Sequence, residues 1–197
     1  MGRRPTLGTK VMKKWVIVVA HPDDEILWAS ALTSRYREDV DWTVICCCIP
    51  GQDPERGTVK FFDSCVILGV KPILMTEVEG GIKKPLLELD KLDLQQYDHI
   101  FTHNAEGEYG HLHHKQLHTH INTKWKHKQQ TYFGFNTHKP KIKLTLTPEE
   151  VDRKMKAIRC YNNIYRDRPY YEHLLTFLGK LKQFDLSIET YTGDDII

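Results

Sequence analysis

Residues 20–25 place one imidazole and three carboxylates directly after an apolar run. The segment reads Ala-His-Pro-Asp-Asp-Glu, so its candidate groups are His21, Asp23, Asp24 and Glu25. Capping of a following helix explains one acid, because a carboxylate there accepts free backbone N–H groups. Capping leaves the imidazole and the other acids unexplained. Because consecutive side chains point in different directions, Asp23 and Asp24 can take separate tasks, one on a metal ion and one facing the reactants.

A second polar cluster covers residues 102–114, with the sequence Thr-His-Asn-Ala-Glu-Gly-Glu-Tyr-Gly-His-Leu-His-His. His111 and His114 are three residues apart, so they share a face if a helix has begun there. His118 lies four residues after His114 and would share the same helix face. For His118, a solvated surface position is an equal alternative to a place in the site. His113 is expected to point away from these neighbours and to take no part in chemistry.

Together the two clusters offer imidazole and carboxylate ligands, which suit a borderline metal such as zinc. Three protein ligands leave one coordination position open for water, and an open position distinguishes a catalytic zinc site from a structural one. The residues alone therefore predict a metal-activated water and specify no substrate.

The elements that must position these clusters alternate between strand-like and helix-like patterns. Strands are predicted at residues 14–20, 42–49, 72–75 and 97–102, and helices at 24–37, 58–68, 86–94 and 113–123. This alternation predicts a three-layer α/β fold, with a mostly parallel sheet covered on both faces. Ligands of such folds bind beyond the carboxyl ends of the strands, which is where both clusters fall.

The C-terminal part continues with two strand patterns, at residues 131–136 and 141–146. Thr147 then starts a helix that runs to Cys160 or beyond, with Pro148 at its first position and Glu150 completing a capping box. Another helix is predicted at about residues 171–181.

Composition places the chain among ordinary globular proteins. Its 197 residues carry 28 Lys and Arg against 26 Asp and Glu, and 40% are hydrophobic. These values favour one α/β domain at residues 13–197 after a flexible segment at 1–12. No apolar run approaches the roughly 18 residues of a membrane span, and the even charge argues against nucleic acid as a partner. The five cysteines, three of them adjacent, favour reduced thiols and a cytoplasmic location.

The two clusters resemble the motifs of the PIG-L/LmbE-like family of zinc-dependent N-deacetylases, which act on N-acetylglucosamine conjugates and related N-acyl amino sugars. The similar parts are AHPDDE after a strand and THN…GEYGHLHH ending at His114. The Leu-Gly-Val sequence at 68–70 and the helix containing Lys154 and Tyr161 also match, so the resemblance extends over about residues 14–165. It implies a Rossmann-like fold and a zinc-dependent hydrolase that releases acetate and a free amine from a small N-acetylated sugar.

The resemblance also implies a role for each matching residue. The metal ligands are His21, Asp24 and His114, which hold Zn²⁺ with Fe²⁺ as the other option. Asp23 is the general base, and either Asp23 or His111 protonates the leaving amine. Tyr109 and His111 polarise the carbonyl and support the oxyanion.

Two departures from the family pattern leave alternatives open. The usual HPDH is HLHH here, which puts His113 where the family has an acid, and the usual Tyr-x-Ser-Gln is Tyr-Asn-Asn-Ile at residues 161–164. Arg56, in a Pro- and Gly-rich loop, is a candidate for substrate binding, although a solvated arginine is equally consistent. A non-catalytic sugar-binding homologue and a metal-dependent hydrolase of another acylated small molecule are the alternative functions.

Overall fold

Seven strands form one sheet with helices on both faces. The computed structural model describes residues 11–49, 56–75, 81–135, 140–161, 176 and 185–196. Within them the strands are β1 (Lys13–Val19), β2 (Val40–Cys46), β3 (Lys71–Leu74), β4 (His99–Thr102), β5 (Gln129–Phe133), β6 (Ile142–Thr145) and β7 (Ile188–Gly193). The α-helices are α1 (Asp24–Arg35), α2 (Phe61–Leu68), α3 (Lys83–Leu89), α4 (Leu112–Lys124) and α5 (Pro148–Cys160).

The strand order is β3-β2-β1-β4-β5-β7-β6. The first five strands are parallel, whereas β7 is antiparallel to both β5 and β6. The chain fills one side of β1 with β2 and β3 and then crosses to β4 on the other side. The strand order therefore reverses between β1 and β4, which is where α/β sheets form their binding crevice. The predicted mostly parallel α/β fold is confirmed.

Side chains of β1 alternate between two hydrophobic cores, as its unbroken apolar run predicts. Ile17 and Val19 pack on the face covered by α1, α2 and α5. Val16 and Val18 pack on the opposite face with residues of α3 and α4. Burial on both faces gives the strand a fixed position, so the residues that follow it leave the sheet at a defined point.

Local signals set several element ends. The predicted capping box starts α5: Thr147 accepts from the Glu150 N–H, and the Glu150 side chain accepts from the Thr147 N–H. Gly69 ends α2 with φ of 73°, a left-handed conformation that glycine adopts without strain. The helix predicted at residues 86–94 lies earlier, as α3, and a short 3-10 turn follows at Leu94–Gln96.

Three further expectations concern the state of the cysteines, membrane-spanning helices and two segments near the chain ends. All five cysteines are free, and four of them are buried. Among the described residues, no helix has the length and apolar character that crossing a bilayer requires. The helix predicted at 171–181 lies outside the described residues except at position 176, and so does most of the flexible segment predicted at 1–12.

Candidate metal centre

The two polar clusters meet at the carboxyl ends of β1 and β4. His21 and Asp24 follow β1, whereas His114 lies in the first turn of α4, beyond the loop that leaves β4. One donor atom from each of these side chains lies within 4.8 Å of the other two, and all three residues are buried. The structure therefore brings together the three residues predicted to hold a metal ion.

The spacing of the donor atoms suits one small cation. Oδ2 of Asp24 lies 3.5 Å from Nδ1 of His21 and 3.4 Å from Nε2 of His114. Two ligands at about 2.0–2.1 Å from a tetrahedral zinc lie about 3.3–3.4 Å apart. Nε2 of His114 is also buried without a hydrogen-bond partner among the described residues. A buried imidazole nitrogen in this position is the donor that such an ion requires once the nitrogen is unprotonated.

Asp24 is held as an anion with both oxygens oriented. Oδ1 accepts a hydrogen bond from Nε1 of Trp28 (3.1 Å), and Oδ2 accepts one from the backbone N–H of His21 (2.9 Å). Burial raises the pKa of this carboxyl, but the imidazoles of His114 and His103 outweigh burial and hold it well below its usual value. The site thus contains a buried negative charge, which favours a bound cation.

Glu108 supplies a second buried carboxylate behind the first. Its Oε2 lies 2.9 Å from Nδ1 of His103 and 2.5 Å from Nδ1 of His114. Burial opposes ionisation, yet the two imidazoles, His103 foremost, lower the pKa of Glu108 to about 2. The anionic carboxylate can accept the Nδ1 proton of His114, and although burial opposes charging, the Asp24 and Glu108 carboxylates raise the pKa of this imidazole. In the neutral ring with its proton on Nδ1, the lone pair lies on Nε2, on the side of Asp24. This role of Glu108 was not predicted from the sequence, although Glu108 lies within the second cluster.

Asp23 occupies a left-handed backbone conformation, with φ of 109°, just before α1. Residues other than glycine rarely adopt this region, and they persist in it only where neighbours impose it. The backbone N–H of Asp23 donates to Oε2 of Glu25 (2.9 Å). Oε1 of Glu25 accepts from Ser64 Oγ (2.7 Å) and Tyr161 Oη (2.9 Å), so a residue of α2 and the residue that follows α5 both hold this turn. Glu25 is fully buried, and its role in holding this turn was not predicted from the sequence.

His111 and Tyr109 border the same centre. The His111 ring centroid lies 4.6 Å from those of both His21 and His114, and the Tyr109 ring lies 5.4 Å from that of His114. Nδ1 of His111 accepts from the backbone N–H of His113 (3.3 Å) and caps α4. Burial, with the neighbouring imidazoles, lowers the pKa of His111 to about 4, so the ring is neutral at pH 7.

Three further expectations, on His113, His118 and Arg56, have different outcomes. The expectation that His113 points away is wrong, because Nδ1 of His113 lies 3.1 Å from Nε2 of His21. His118 is half-buried, and its Nδ1 lies 3.0 Å from the backbone oxygen of His103. Arg56 begins a short π-helix at Arg56–Lys60, but its side chain lies outside the described residues. Its role in substrate binding stays a prediction.

Comparison with known proteins finds similarity in structure alone. No model of a protein family matches the chain, and no curated protein sequence matches it. N,N'-diacetylchitobiose deacetylase from Pyrococcus horikoshii superposes with a TM-score of 0.66 at 17% identity, over 91% of this chain and 83% of that chain. A zinc-inhibited form of teicoplanin deacetylase Orf2 gives 0.58 at 12% identity, over 94% of this chain and all of that one.

The similar structures also include a different activity. GalB, the 4-carboxy-2-hydroxymuconate hydratase of Pseudomonas putida KT2440, superposes with a TM-score of 0.63 at 15% identity, over 94% of this chain and all of that one. At such identities the similarity establishes architecture, whereas the reaction depends on the residues of each site. The chain has the α/β fold of the PIG-L/LmbE-like deacetylases.

Proposed function

We propose that this chain is a zinc-dependent N-deacetylase that acts on an N-acetylglucosamine-type amino-sugar conjugate. The products would be acetate and a primary amine. One observation carries the proposal: donor atoms of His21, Asp24 and His114 converge at the strand-order reversal, in a fold shared with deacetylases. The family resemblance gives Asp23, His111 and Tyr109 roles on the substrate, and the rings of His111 and Tyr109 border the same centre.

The residues fit a zinc ion through their chemistry as well as their spacing. Two imidazoles, neutral once they bind a metal, and one ionised carboxylate form a mixed N and O ligand set, and Fe²⁺ accepts the same set. The Glu108 carboxylate behind His114 is the outer hydrogen-bond partner that orients a metal-ligating histidine. When bound here, zinc would supply a Lewis acid that makes water more acidic and an amide carbonyl more electrophilic.

Asp23 is the proposed proton carrier. Its carboxylate would accept a proton from water as the water oxygen bonds to the amide carbon. The same proton would pass to the nitrogen as the C–N bond breaks, so that the amine leaves neutral. The pKa of His111, lowered to about 4, supports Asp23 over His111 as the donor, because a neutral imidazole has no extra proton to give.

His111 and Tyr109 are the proposed hydrogen-bond donors to the developing oxyanion. Because Nδ1 of His111 accepts a backbone N–H, the proton of the neutral ring lies on Nε2, which can donate. The phenol O–H of Tyr109, which borders the same centre, is the second proposed donor. Loss of one such donor typically lowers the rate by about 10²–10³-fold.

The test is release of free amine from N-acetylglucosamine derivatives by the full chain. We expect activity from the zinc-loaded protein, loss of it after chelation, and its return on addition of Zn²⁺. Asp24→Asn should lose both the bound zinc and the activity. His127→Ala is the matched control, since it removes an exposed imidazole that lies 2.9 Å from Gln95, away from the centre. Zinc-loaded protein that releases no amine from any such derivative would contradict the deacetylase assignment.

A hydratase is the second candidate, because GalB shares the fold over nearly the whole chain. A hydratase adds water across a carbon–carbon double bond and releases nothing, whereas a deacetylase yields acetate and amine. Mass spectrometry of the products separates the two. Binding of an amino sugar without turnover by metal-loaded protein would instead favour the sugar-binding homologue.

A further inference from the structure

The two ring nitrogens of His21 face different partners. Nδ1 lies 3.5 Å from Oδ2 of Asp24, on the side of the candidate metal centre. Nε2 lies 3.1 Å from Nδ1 of His113, and the two rings stack with their centroids 5.3 Å apart and their planes 29° apart. His113 belongs to the first turn of α4, and its backbone N–H is already bonded to His111.

A neutral imidazole carries a single ring proton, which decides which nitrogen can bind a metal. If Nδ1 of His21 faces the metal, its proton must be on Nε2, and that N–H needs an acceptor. Nδ1 of His113 lies at hydrogen-bond distance, and it accepts when the proton of His113 is on its own Nε2.

The other proposed imidazole ligand shows the same arrangement with a different acceptor. His114 directs Nε2 towards Asp24 and has the Glu108 carboxylate at its Nδ1. Each metal-facing imidazole thus has a partner at its remote nitrogen, an anionic one for His114 and an imidazole for His21. Hydrogen bonds to a neutral acceptor are weaker than those to a carboxylate, so His21 is the less strongly polarised ligand.

We propose that His113 is a positioning residue, which accepts the Nε2 proton of His21 and thereby keeps Nδ1 of His21 available to the metal. The inference rests on the proposed zinc site and deepens it. The inference gives a role to His113, a residue at which this chain departs from the family pattern. It also predicts one metal ion per chain, with no ligand from His113.

A matched pair of variants separates the hydrogen bond from the space that the ring fills. In His113→Asn, the amide oxygen can take the place of Nδ1 as an acceptor. His113→Leu has nearly the shape of the Asn variant but offers no acceptor. Removal of an outer hydrogen-bond partner of a metal ligand typically weakens metal binding by about 10–100-fold.

The experiment measures zinc affinity by chelator competition on the full chain, with far-ultraviolet circular dichroism to verify folding. We expect His113→Leu to bind zinc about 10–100-fold more weakly than the wild type, and His113→Asn to remain within about threefold. Long-range ¹H–¹⁵N correlation spectra of the zinc-free protein should show the proton of His21 on Nε2 in the wild type and the Asn variant, and a shift of that proton towards Nδ1 in His113→Leu. A merely structural role of His113 would not move that signal.

The contrary outcomes are distinct. Unchanged affinity and an unchanged His21 tautomer in His113→Leu, with one zinc bound to the wild type, would overturn this inference and leave the proposed function standing. Two zinc ions per wild-type chain and one in His113→Leu would overturn it as well, because His113 would then be a ligand. A folded wild type that binds no zinc would overturn the proposed function, and this inference with it.

Discussion

Two buried polar clusters of this molecule differ in how their charges are balanced. One is the candidate metal centre, and the other surrounds Glu189 of β7, which we call the Glu189 cluster. The Glu189 carboxylate accepts from Lys154 Nζ (2.8 Å), Ser30 Oγ (2.7 Å), the Ala31 N–H (3.0 Å) and Tyr191 Oη. The Lys154 ammonium also donates to the backbone oxygen of Leu27 (3.0 Å).

The difference indicates what each cluster does. In the Glu189 cluster one anion meets one cation, and the surrounding donors complete the hydrogen bonding of the carboxylate. In the metal centre, Asp24 and Glu108 are both ionised among imidazoles, while Nε2 of His114 has no hydrogen-bond partner among the described residues. The Glu189 cluster joins α1, α5 and β7 through a permanently charged ammonium, whereas the metal centre faces its two carboxylates with imidazoles, which can lose a proton and bind a metal cation instead.

The largest expected effect comes from the two adjacent aspartates of the metal centre. We expect Asp23→Asn to keep its zinc and to lose at least about 10²-fold in kcat, because the amide cannot accept the proton. Asp24→Asn should lose the zinc itself. Elemental analysis with amine-release kinetics on both variants checks the pair. If Asp23→Asn also lost its zinc, the division of roles between the two carboxylates would be wrong.

The Glu189 cluster should respond in stability and leave zinc binding unchanged. Lys154→Met leaves the Glu189 carboxylate buried without its cation, which typically costs about 3–5 kcal/mol of unfolding free energy. Urea unfolding measures the loss. Lys156→Met is the control, because Lys156 pairs with Asp152 on the exposed surface of the same helix, where such pairs contribute at most about 1 kcal/mol. Equal losses in both variants would show that the buried pair has no special weight.

The sequence predicted the parts of the fold that depend on local pattern. The apolar runs of β1 and β2 and the capping box of α5 are readable because neighbouring residues alone produce them. Strand β7 was missed because Glu189 and Tyr191 occupy its inward positions, and no apolar alternation marks it. Glu189 is compatible with burial only because Lys154 lies opposite it, 35 residues earlier in the chain.

The candidate site, too, was predictable from the sequence only in part. The ligand set predicted from the two motifs converges because both motifs follow strands that are neighbours in the sheet. The contacts of Glu25 with Ser64 and Tyr161 join distant parts of the chain, so a motif of six residues does not reveal them. The direction of His113 depends on where α4 begins. The helix starts at Leu112, one residue before the predicted start, and His113 lies in its first turn with Nδ1 facing Nε2 of His21.

The smallest effect that we expect concerns His99, a buried imidazole on β4, the strand that directly precedes His103. His103 faces Glu108 and Asp24, which raise its pKa to about 9 although burial opposes charging. His99 packs on Phe101, and burial lowers its pKa to about 4, with Asp194 offsetting only part of that effect.

The low pKa of His99 predicts a loss of stability in acid. Above pH 6.5 the ring is neutral in both the folded and the unfolded chain. As the pH falls from about 6.5 to 4, only the unfolded chain binds a proton there, which lowers the free energy of unfolding by up to about 3 kcal/mol. His99→Gln should lack this contribution, so its stability relative to wild type should improve steadily between pH 7 and pH 4 in urea unfolding. His127→Gln, which changes an exposed imidazole, should follow the wild type. If the gap between His99→Gln and wild type stayed constant over this range, His99 would titrate alike in both states, and burial that outweighs the attraction of Asp194 would not be what separates it from His103.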